Sequence, residues 1–224
     1  MTNSYDHIDT WIFDLDNTLY PAECNLFAQI DVRMKAYISE LLGIPEEEAF
    51  AIQKRYFLEH GTTLRGLMDN HEVEPADFLH YVHDIDYSRL PPLPQLGPAL
   101  SRLPGRLMIY TNGTVGHAEG VLNALGLMDH FGTVFDIIAA GYVPKPNPVP
   151  YAVMVDNHDI DPGRAVLVED IAKNLKPAKD LGMRTVYLRT DTRWSVPDAD
   201  TDYIDEEIDD LQAWLDGLTG TRSA

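Results

Sequence analysis

The feature that most constrains this sequence is a set of five short apolar runs, each followed by polar residues. The runs lie at residues 11–13, 107–110, 134–140, 165–168 and 185–188. Short runs rich in β-branched and aromatic residues predict buried strands. Helical patterns lie between them, for example 117–125 before Gly126 and 173–181 before Gly182. Because strands that alternate with helices imply right-handed crossovers, the sequence predicts an α/β fold built on a parallel sheet.

The stretch between the first and second runs breaks this alternation, because one helical pattern follows another. The predicted helices cover about 26–41, 46–60, 64–70 and 75–85. Gly43 and Gly61 follow the first two helices as stop signals, and the proline-rich segment 91–94 returns the chain to the sheet. We therefore expect a Rossmann-like core formed by residues 1–21 and 91–224. An all-helical cap, residues 22–90, is inserted after the first strand.

The charge balance limits the partners of the protein. The formal net charge is -19, from 17 basic and 36 acidic residues. Such a chain lacks a basic stripe, so nucleic-acid polymers and anionic membranes are poor candidate partners. The acidic segment 198–210 is expected to form a solvated edge. An acidic protein that acts on a phosphate must gather positive charge locally, from a few basic residues, helix N-termini or a bound cation.

Cysteine usage and the N-terminal sequence indicate the compartment. With Cys24 as its single cysteine, the chain cannot form an internal disulfide or a thiolate zinc site. The first ten residues are polar and lack the apolar centre of a signal peptide, and no later stretch approaches a membrane span. These features predict a soluble, cytoplasmic protein and leave its oligomeric state open.

Reactive side chains follow the predicted strands, at the edge where the carboxyl ends of parallel strands meet. In chain order they are Asp14, Asp16, Thr111, Asn112, Lys145, Glu169 and Asp170. Lys145 lies in a loop between Pro144 and Pro146, which limit the freedom of its backbone. The sequence therefore predicts that carboxylates, a hydroxyl, an amide and an ammonium group meet at one crevice.

These residue types suit phosphoryl transfer. Clustered carboxylates repel one another unless a hard cation lies between them, and Asp14, Asp16 and Asp170 are suitable ligands for Mg²⁺. Lys145 could neutralise a bound phosphate, and Thr111 with the backbone N–H groups after it could bind the remaining oxygens. A carboxylate nucleophile would form an acyl phosphate, which divides one difficult displacement into two easier ones.

Four motifs occur in a fixed order along the chain: Asp14-Leu15-Asp16-Asn17-Thr18, Thr111-Asn112-Gly113, Lys145-Pro146 and Glu169-Asp170. In order and strand context they resemble those of the haloacid dehalogenase superfamily, in the phosphatase branch whose helical cap follows the first strand. The resemblance implies an aspartyl-phosphate intermediate on Asp14, which would also bind Mg²⁺. It implies that Asp16 is the general acid and then the general base, and that its backbone carbonyl binds the metal.

The same resemblance assigns the remaining motif residues. Asp170 would be a further metal ligand, and Glu169 is expected on a metal-bound water. The phosphate-binding residues would be Thr111, Asn112, Gly113 and Lys145.

Three local strings are similar to those of the pyrimidine 5'-nucleotidase family. They are residues 14–21, the cap stretch Gly61-Thr62-Thr63-Leu64-Arg65-Gly66-Leu67, and His83-Asp84-Ile85-Asp86-Tyr87. This similarity implies a phosphomonoesterase that acts on a pyrimidine nucleoside 5'-monophosphate. Tyr20, at the entry to the cap, and Arg65, in a polar turn, are then candidates for contacts with the base and sugar.

Other functions share parts of this pattern. A sugar-phosphate phosphatase or a phosphomutase could use the same core residues. A dehalogenase is less suitable because a departing halide needs no proton, which leaves Asp16 without a task. A phospho-acceptor switch also combines acids, a hydroxyl and a lysine on a parallel sheet, but it lacks an inserted cap large enough to enclose a substrate.

Overall fold

The computed structural model describes residues 5–190 and 201–220. The strands in this part of the chain are β1 (Thr10–Phe13), β2 (Arg106–Tyr110), β3 (Thr133–Phe135), β4 (Ala165–Glu169), β5 (Arg184–Leu188) and β6 (Glu206–Ile208). They form one parallel sheet in the order β3-β2-β1-β4-β5-β6. The predicted α/β class with a parallel, Rossmann-like sheet is confirmed.

Helices connect and cover these strands. They are α1 (Leu26–Leu42), α2 (Glu46–His60), α3 (Thr63–His71), α4 (Pro75–Val82), α5 (Leu96–Leu100), α6 (Val115–Leu125), α7 (Pro148–Asn157), α8 (Leu175–Asp180) and α9 (Leu211–Gly220). The first five lie between β1 and β2, with α1 to α4 in the predicted insertion and α5 on the return to the sheet, and the other four lie between or after later strands.

The central strand β1 is buried on both faces. Trp11 and Phe13 belong to an apolar cluster that includes residues of α5, α6 and α9. Ile12 points to the opposite face and joins a second cluster with residues of α7 and α8. Because side chains alternate along a strand, one short apolar run contributes to both layers of the core. The strand is therefore fixed at the centre of the sheet, and the loop after it lies in the middle of the carboxyl edge.

Helices α1 to α4 pack around an apolar cluster separate from the two beside the sheet. Ile38, Tyr56, Leu67 and Phe78 belong to this cluster. Gly66 on α3 allows a close approach to α2, because a Cβ atom at this position would lie 2.4 Å from the Tyr56 ring. This apolar cluster lies mostly within the insertion, and Ile137, which follows β3, also belongs to it.

Several predicted bounds differ from those observed. The run 134–140 is a strand only to Phe135, because Asp136 then accepts hydrogen bonds from the backbone N–H groups of Ile138 (3.1 Å) and Ala139 (2.8 Å) and turns the chain. The predicted helix 75–85 ends at Val82, since the N–H of Ile85 bonds to the carbonyl of His83 rather than continuing the helical pattern.

The acidic tail is also more than a solvated edge. Residues Glu206–Ile208 form the outer strand β6, and Ile208 is buried. Glu206 also accepts a hydrogen bond from the Trp214 indole (3.0 Å). The alternation of Glu206, Glu207 and Ile208 is too short to stand out from the acids around it. Residues 198–200 of this prediction, and the predicted core's ends at 1–4 and 221–224, lie outside the described residues.

No helix among the described residues has both the length and the apolar character needed to cross a bilayer.

Candidate active site

A cavity of about 370 Å³ lies between the carboxyl edge of the sheet and the helical insertion. Its lining includes all the predicted reactive residues of the core: Asp14, Asp16, Thr111, Asn112, Gly113, Lys145, Glu169 and Asp170. The prediction that several strand ends deliver these groups to one crevice therefore agrees with the structure. The cavity size falls within the range of small-molecule sites.

Lys145 is the buried cation at the base of this cavity. Its Nζ donates to Asp14 Oδ1 (2.6 Å), to Glu169 Oε2 (2.7 Å) and to the carbonyl of Tyr110 (3.0 Å). Burial by itself lowers the pKa of a lysine, but the negative charges of Asp14 and Glu169 outweigh it and raise the pKa of Lys145 above its usual value. Lys145 is therefore a fixed positive charge beside the predicted nucleophile.

Three buried carboxylates form an acidic cluster beside the lysine. Asp14, Glu169 and Asp170 each offer one oxygen, and these oxygens lie within 4.8 Å of one another. Burial, together with the charge of Glu169, raises the pKa of Asp14 to about 7 and raises that of Asp170 well above its usual value. Lys145 supplies one positive charge against three carboxylates, so full ionisation of the cluster requires further positive charge, and the donor set suits a hard divalent ion.

Asp16 projects from the loop after β1 and is held by two donors. The hydroxyl of Tyr20 donates to Asp16 Oδ1 (2.5 Å), and Nε2 of His117 meets the same oxygen at 2.9 Å. Burial raises the pKa of Asp16, but the charge of His117 and the hydrogen bonds from His117 and Tyr20 outweigh it and lower the pKa. About 16% of the Asp16 side chain remains exposed. It is therefore held by its neighbours at the edge of the cavity.

The loop after β2 supplies a hydroxyl and an amide to the same cavity. The N–H of Gly113 donates to Thr111 Oγ1 (2.9 Å), so the hydroxyl hydrogen of Thr111 is free to donate elsewhere. Asn112 Oδ1 accepts the backbone N–H of Lys145 (3.0 Å), which ties the β2 loop to the lysine loop. The N–H of Gly113 is thus already used within the loop, in contrast to its predicted role with phosphate.

The insertion contributes a mostly apolar wall to the cavity. Its apolar lining residues are Phe27, Ile30, Met34, Phe57, Leu64, Phe78, Leu79 and Val82. Polar side chains of the insertion also line it: Asn25, Asp31, Gln53, Lys54, Thr62, Thr63 and His83. Gln53 is 1% exposed, its Nε2 donates to Asp31 Oδ1 (2.6 Å), and its Oε1 has no hydrogen-bond partner among the described residues. The insertion side therefore combines a large apolar surface with several polar side chains, whereas the sheet side is mostly polar.

The two substrate-contact residues predicted in or near the cap do not line this cavity. Tyr20 is 1% exposed and belongs to the core cluster, with its hydroxyl on Asp16. Arg65 bonds to Asp69 one turn along α3 (2.8 Å) and lines a separate outer groove. Sequence position alone does not reveal that the Tyr20 side chain turns inward. Arg65, predicted in a polar turn, lies instead in the first turn of α3 and on the side of the helix that lines the outer groove.

Three residues at the site were not assigned a role from the sequence. His117 lies in the first turn of α6, His83 stacks on it with ring centroids 4.5 Å apart, and the Tyr87 hydroxyl lies 3.1 Å from His117 Nδ1. Burial and the adjacent His117 lower the pKa of His83 to about 3. At the level of the sequence, residues 83–87 were used only for their family resemblance. Nothing in the spacing of these residues predicts that they contact α6, which lies about thirty residues later in the chain.

The chain is similar to known hydrolases along most of its length. The model of the haloacid dehalogenase-like hydrolase family matches residues 8–182. Phosphate metabolism protein 8 of Saccharomyces cerevisiae is 25% identical over 191 residues, which cover 77% of this chain and 59% of the yeast protein. The chain therefore spans less than two thirds of that relative.

Solved structures share the fold. The structure of an HAD phosphatase from Thermococcus onnurineus matches with a TM-score of 0.63 and 23% identity, over 95% of this chain and 98% of that one. The structure of L-2-haloacid dehalogenase from Xanthobacter autotrophicus, with chloropropionic acid covalently bound, matches with a TM-score of 0.53 and 18% identity, over 83% and 79% of the two chains. At these identities the likeness concerns the fold, and the chemistry must be argued from the site.

Proposed function

Because the chain belongs to the haloacid dehalogenase-like hydrolase family, we propose that it is a magnesium-dependent phosphomonoesterase. The observation that carries this proposal is the second carboxylate, Asp16, held at the cavity edge by Tyr20 and His117. An alcohol departs as an alkoxide and needs a proton, whereas a halide does not. Asp16 is placed to serve that need, so the site is better suited to a phosphate ester than to a haloacid.

Asp14 is the proposed nucleophile. Its carboxylate attacks phosphorus, and the P–O bond to the leaving group breaks. Asp16, whose pKa is lowered in the free protein, must take up a proton when the ester binds, and it gives that proton to the departing oxygen. Water then attacks the phosphorus of the aspartyl phosphate while Asp16 takes a proton from it. Asp14 and inorganic phosphate are regenerated. Thr18 Oγ1 donates to Asp14 Oδ2 (3.2 Å) and Lys145 to Oδ1, so the attacking group is oriented at both oxygens.

The phosphoryl group would be held by groups already in the cavity. Lys145 and the Thr111 hydroxyl supply a cation and a donor, and the backbone N–H of Asn112 has no partner among the described residues. Asp14 and Asp170, with the backbone carbonyl of Asp16, would hold the ion. Glu169 would act on an ion-bound water, as its Oε2 already receives Lys145. When bound, Mg²⁺ would supply positive charge to the phosphoryl oxygens.

The proposed substrate is a pyrimidine nucleoside 5'-monophosphate. The wall of the insertion carries aromatic side chains, among them Phe27, Phe57 and Phe78, which suit a flat base. A buried amide oxygen without a partner costs about 1–3 kcal/mol, and the Oε1 of Gln53 could be satisfied by an N–H or amino group of the base. A cavity of about 370 Å³ shared by phosphate, ribose and base favours the smaller ring.

Two measurements test the proposal. Continuous phosphate release from an aryl phosphate with magnesium would distinguish an enzyme from a phospho-acceptor switch, which would stop near one equivalent per chain. A panel of UMP, CMP, AMP, GMP and glucose 6-phosphate, compared by kcat/KM, would test the substrate. A purine nucleotide or the hexose phosphate as best substrate would reject the pyrimidine assignment and leave the phosphatase assignment intact. Turnover of a 2-haloacid instead of any phosphate ester would reject both.

A further inference from the structure

We propose that His117 is a positioning residue for Asp16, and that the segment returning from the cap sets the orientation of its ring. This inference rests on the proposed function, since it concerns the proton donor and acceptor of phosphoryl transfer. It assigns a task to His117, His83 and Tyr87, none of which touches the reacting atoms.

The first step of the argument is the way Asp16 is held. Tyr20 and His117 both bond to Oδ1, and no hydrogen bond to the second oxygen, Oδ2, occurs among the described residues. Two donors on one oxygen fix the plane of the carboxyl group. Oδ2 is thereby left as the atom that can meet the leaving-group oxygen.

The second step is the way His117 is held. Its side chain is fully buried, and the Tyr87 hydroxyl meets Nδ1 at 3.1 Å while Nε2 faces Asp16. His83 stacks on the ring at an interplanar angle of 14°, and His83 Nδ1 lies 3.3 Å from the Thr114 hydroxyl. Both ring nitrogens and one face are thus occupied. The ring has little freedom to rotate away from Asp16.

The third step is that two glycines make room for this arrangement. A Cβ atom on Gly113 would lie 3.0 Å from His117 Cδ2, and one on Gly120 would lie 2.7 Å from the Tyr87 ring. Both distances are too short for an ordinary side-chain contact. The rings of His117 and Tyr87 therefore occupy space that almost any other residue at these two positions would close.

These contacts connect the cap to the reaction. His83 and Tyr87 lie between α4 and the return of the chain to the sheet, whereas Asp16 follows β1 in the core. A change in how the return segment sits against α6 must alter the contacts of His117, and through them the orientation of Asp16. The network thus provides a direct route by which seating of the cap can align the proton donor.

The test uses leaving groups of different basicity. In kcat/KM, which reports the steps through transfer to Asp14, protonation matters for UMP, whose leaving group is an alcohol, and matters little for 4-nitrophenyl phosphate. We expect His117→Phe to lower kcat/KM for UMP by about 10- to 100-fold, because it should remove part of the rate enhancement that a correctly positioned general acid provides. The value for 4-nitrophenyl phosphate should change by less than about threefold. His117→Gln, which retains a donor, should recover part of the loss on UMP.

Tyr87→Phe provides a second, milder variant, because it removes the hydroxyl beside Nδ1 without changing the volume of the ring. It should lower the ratio of kcat/KM for UMP to kcat/KM for 4-nitrophenyl phosphate, as His117→Phe does. His130→Phe is the matched control: this half-buried histidine also bonds to a neighbour, Ser101 (3.2 Å), but lies outside the cavity. In His130→Phe, the ratio of kcat/KM for the two esters should equal that of the unaltered protein.

Equal losses on both substrates, or an unchanged ratio in His117→Phe, would overturn the inference and leave the phosphatase assignment standing. If His117→Phe does not fold, as judged by circular dichroism, the ratio in Tyr87→Phe decides in the same way. If UMP is not a substrate, the alkyl phosphate with the highest kcat/KM replaces it. An unaltered protein that hydrolyses no phosphate ester would reject the proposed function itself, and the inference with it.

Discussion

The sheet edge and the helical insertion present opposite surfaces to the same cavity. On the sheet side, ionised and hydroxyl groups bond to one another, so that Lys145 alone contacts Asp14, Glu169 and a carbonyl. On the insertion side, a large part of the wall is aliphatic and aromatic, and the polar side chains among it include the buried Gln53. In the proposed function, the first surface acts on the phosphoryl group and the second distinguishes what is attached to it. Substitutions on the two sides should therefore have different kinetic consequences.

The largest effect is expected from Asp14→Asn on the sheet side. The amide keeps the shape of the side chain but is a poor nucleophile, so turnover should fall by at least about 10⁴-fold on every phosphate ester. Thermal stability should be unchanged or higher, because one member of a crowded carboxylate cluster becomes neutral. Initial rates and a melting curve measure both. A folded variant with normal turnover would remove Asp14 from the mechanism.

Asp16→Asn should have the next largest effect, again on the sheet side. Loss of a positioned acid and base should slow turnover by about 10²- to 10⁴-fold. The loss should be smaller for an aryl phosphate, whose leaving group needs little protonation. Parallel assays on UMP and 4-nitrophenyl phosphate provide the comparison. Identical losses on the two esters would count against protonation by Asp16.

Asp170→Ala tests the proposed metal. Activity should be lost in excess chelator, and the variant should need at least about tenfold more Mg²⁺ for half-maximal rate, because one hard oxygen ligand is gone. Calcium should inhibit, since its larger and looser coordination disturbs the geometry of transfer. Rates measured across a magnesium titration test this. Full activity in chelator would exclude the metal from the scheme.

Gln53→Met should affect selection and leave the chemistry intact. Loss of the amide oxygen should raise KM for UMP by about tenfold, the worth of one hydrogen bond, while kcat/KM for 4-nitrophenyl phosphate stays constant. Gln212→Met is the matched control, because Gln212 also donates to an aspartate, Asp216 (2.9 Å), but lies outside the cavity. A loss on both esters in Gln53→Met would mean that the wall supports the fold rather than the choice of substrate.

The smallest effect is expected from Arg65→Ala. Arg65 pairs with Asp69 in an exposed groove, and its side chain is 38% exposed, so stability should change by less than about 1 kcal/mol. The kcat/KM ratios across the nucleotide panel should not move. A shifted ratio would show that this face of α3 reaches the substrate.

The sequence predicted the sheet side of the cavity better than the insertion side, for a physical reason. The carboxyl ends of all strands in a parallel sheet lie at the same edge, where the site is found. Asp14, Thr111 and Asp170 could therefore be placed at this edge from their positions after apolar runs. A helix presents residues in all directions, and only packing decides which face meets a cavity. Tyr20 accordingly turned into the core, while Gln53 lines the wall.

Contacts between segments that are distant in the chain also could not be predicted from the sequence. The stacking of His83 on His117 depends on where the return segment crosses α6, and no periodicity reports that crossing. Strand β6 was missed for a related reason: three residues among acids carry little pattern until β5 is there to pair with them.

The partners of Lys145 have one further consequence, which concerns the order in which ligands can enter. With all three carboxylates ionised, one ammonium leaves the pocket with a net negative charge. A phosphate dianion would be repelled from such a pocket, whereas a divalent cation would be drawn in and would balance the charge. Binding should therefore be ordered, with the cation entering before the ester and leaving after inorganic phosphate.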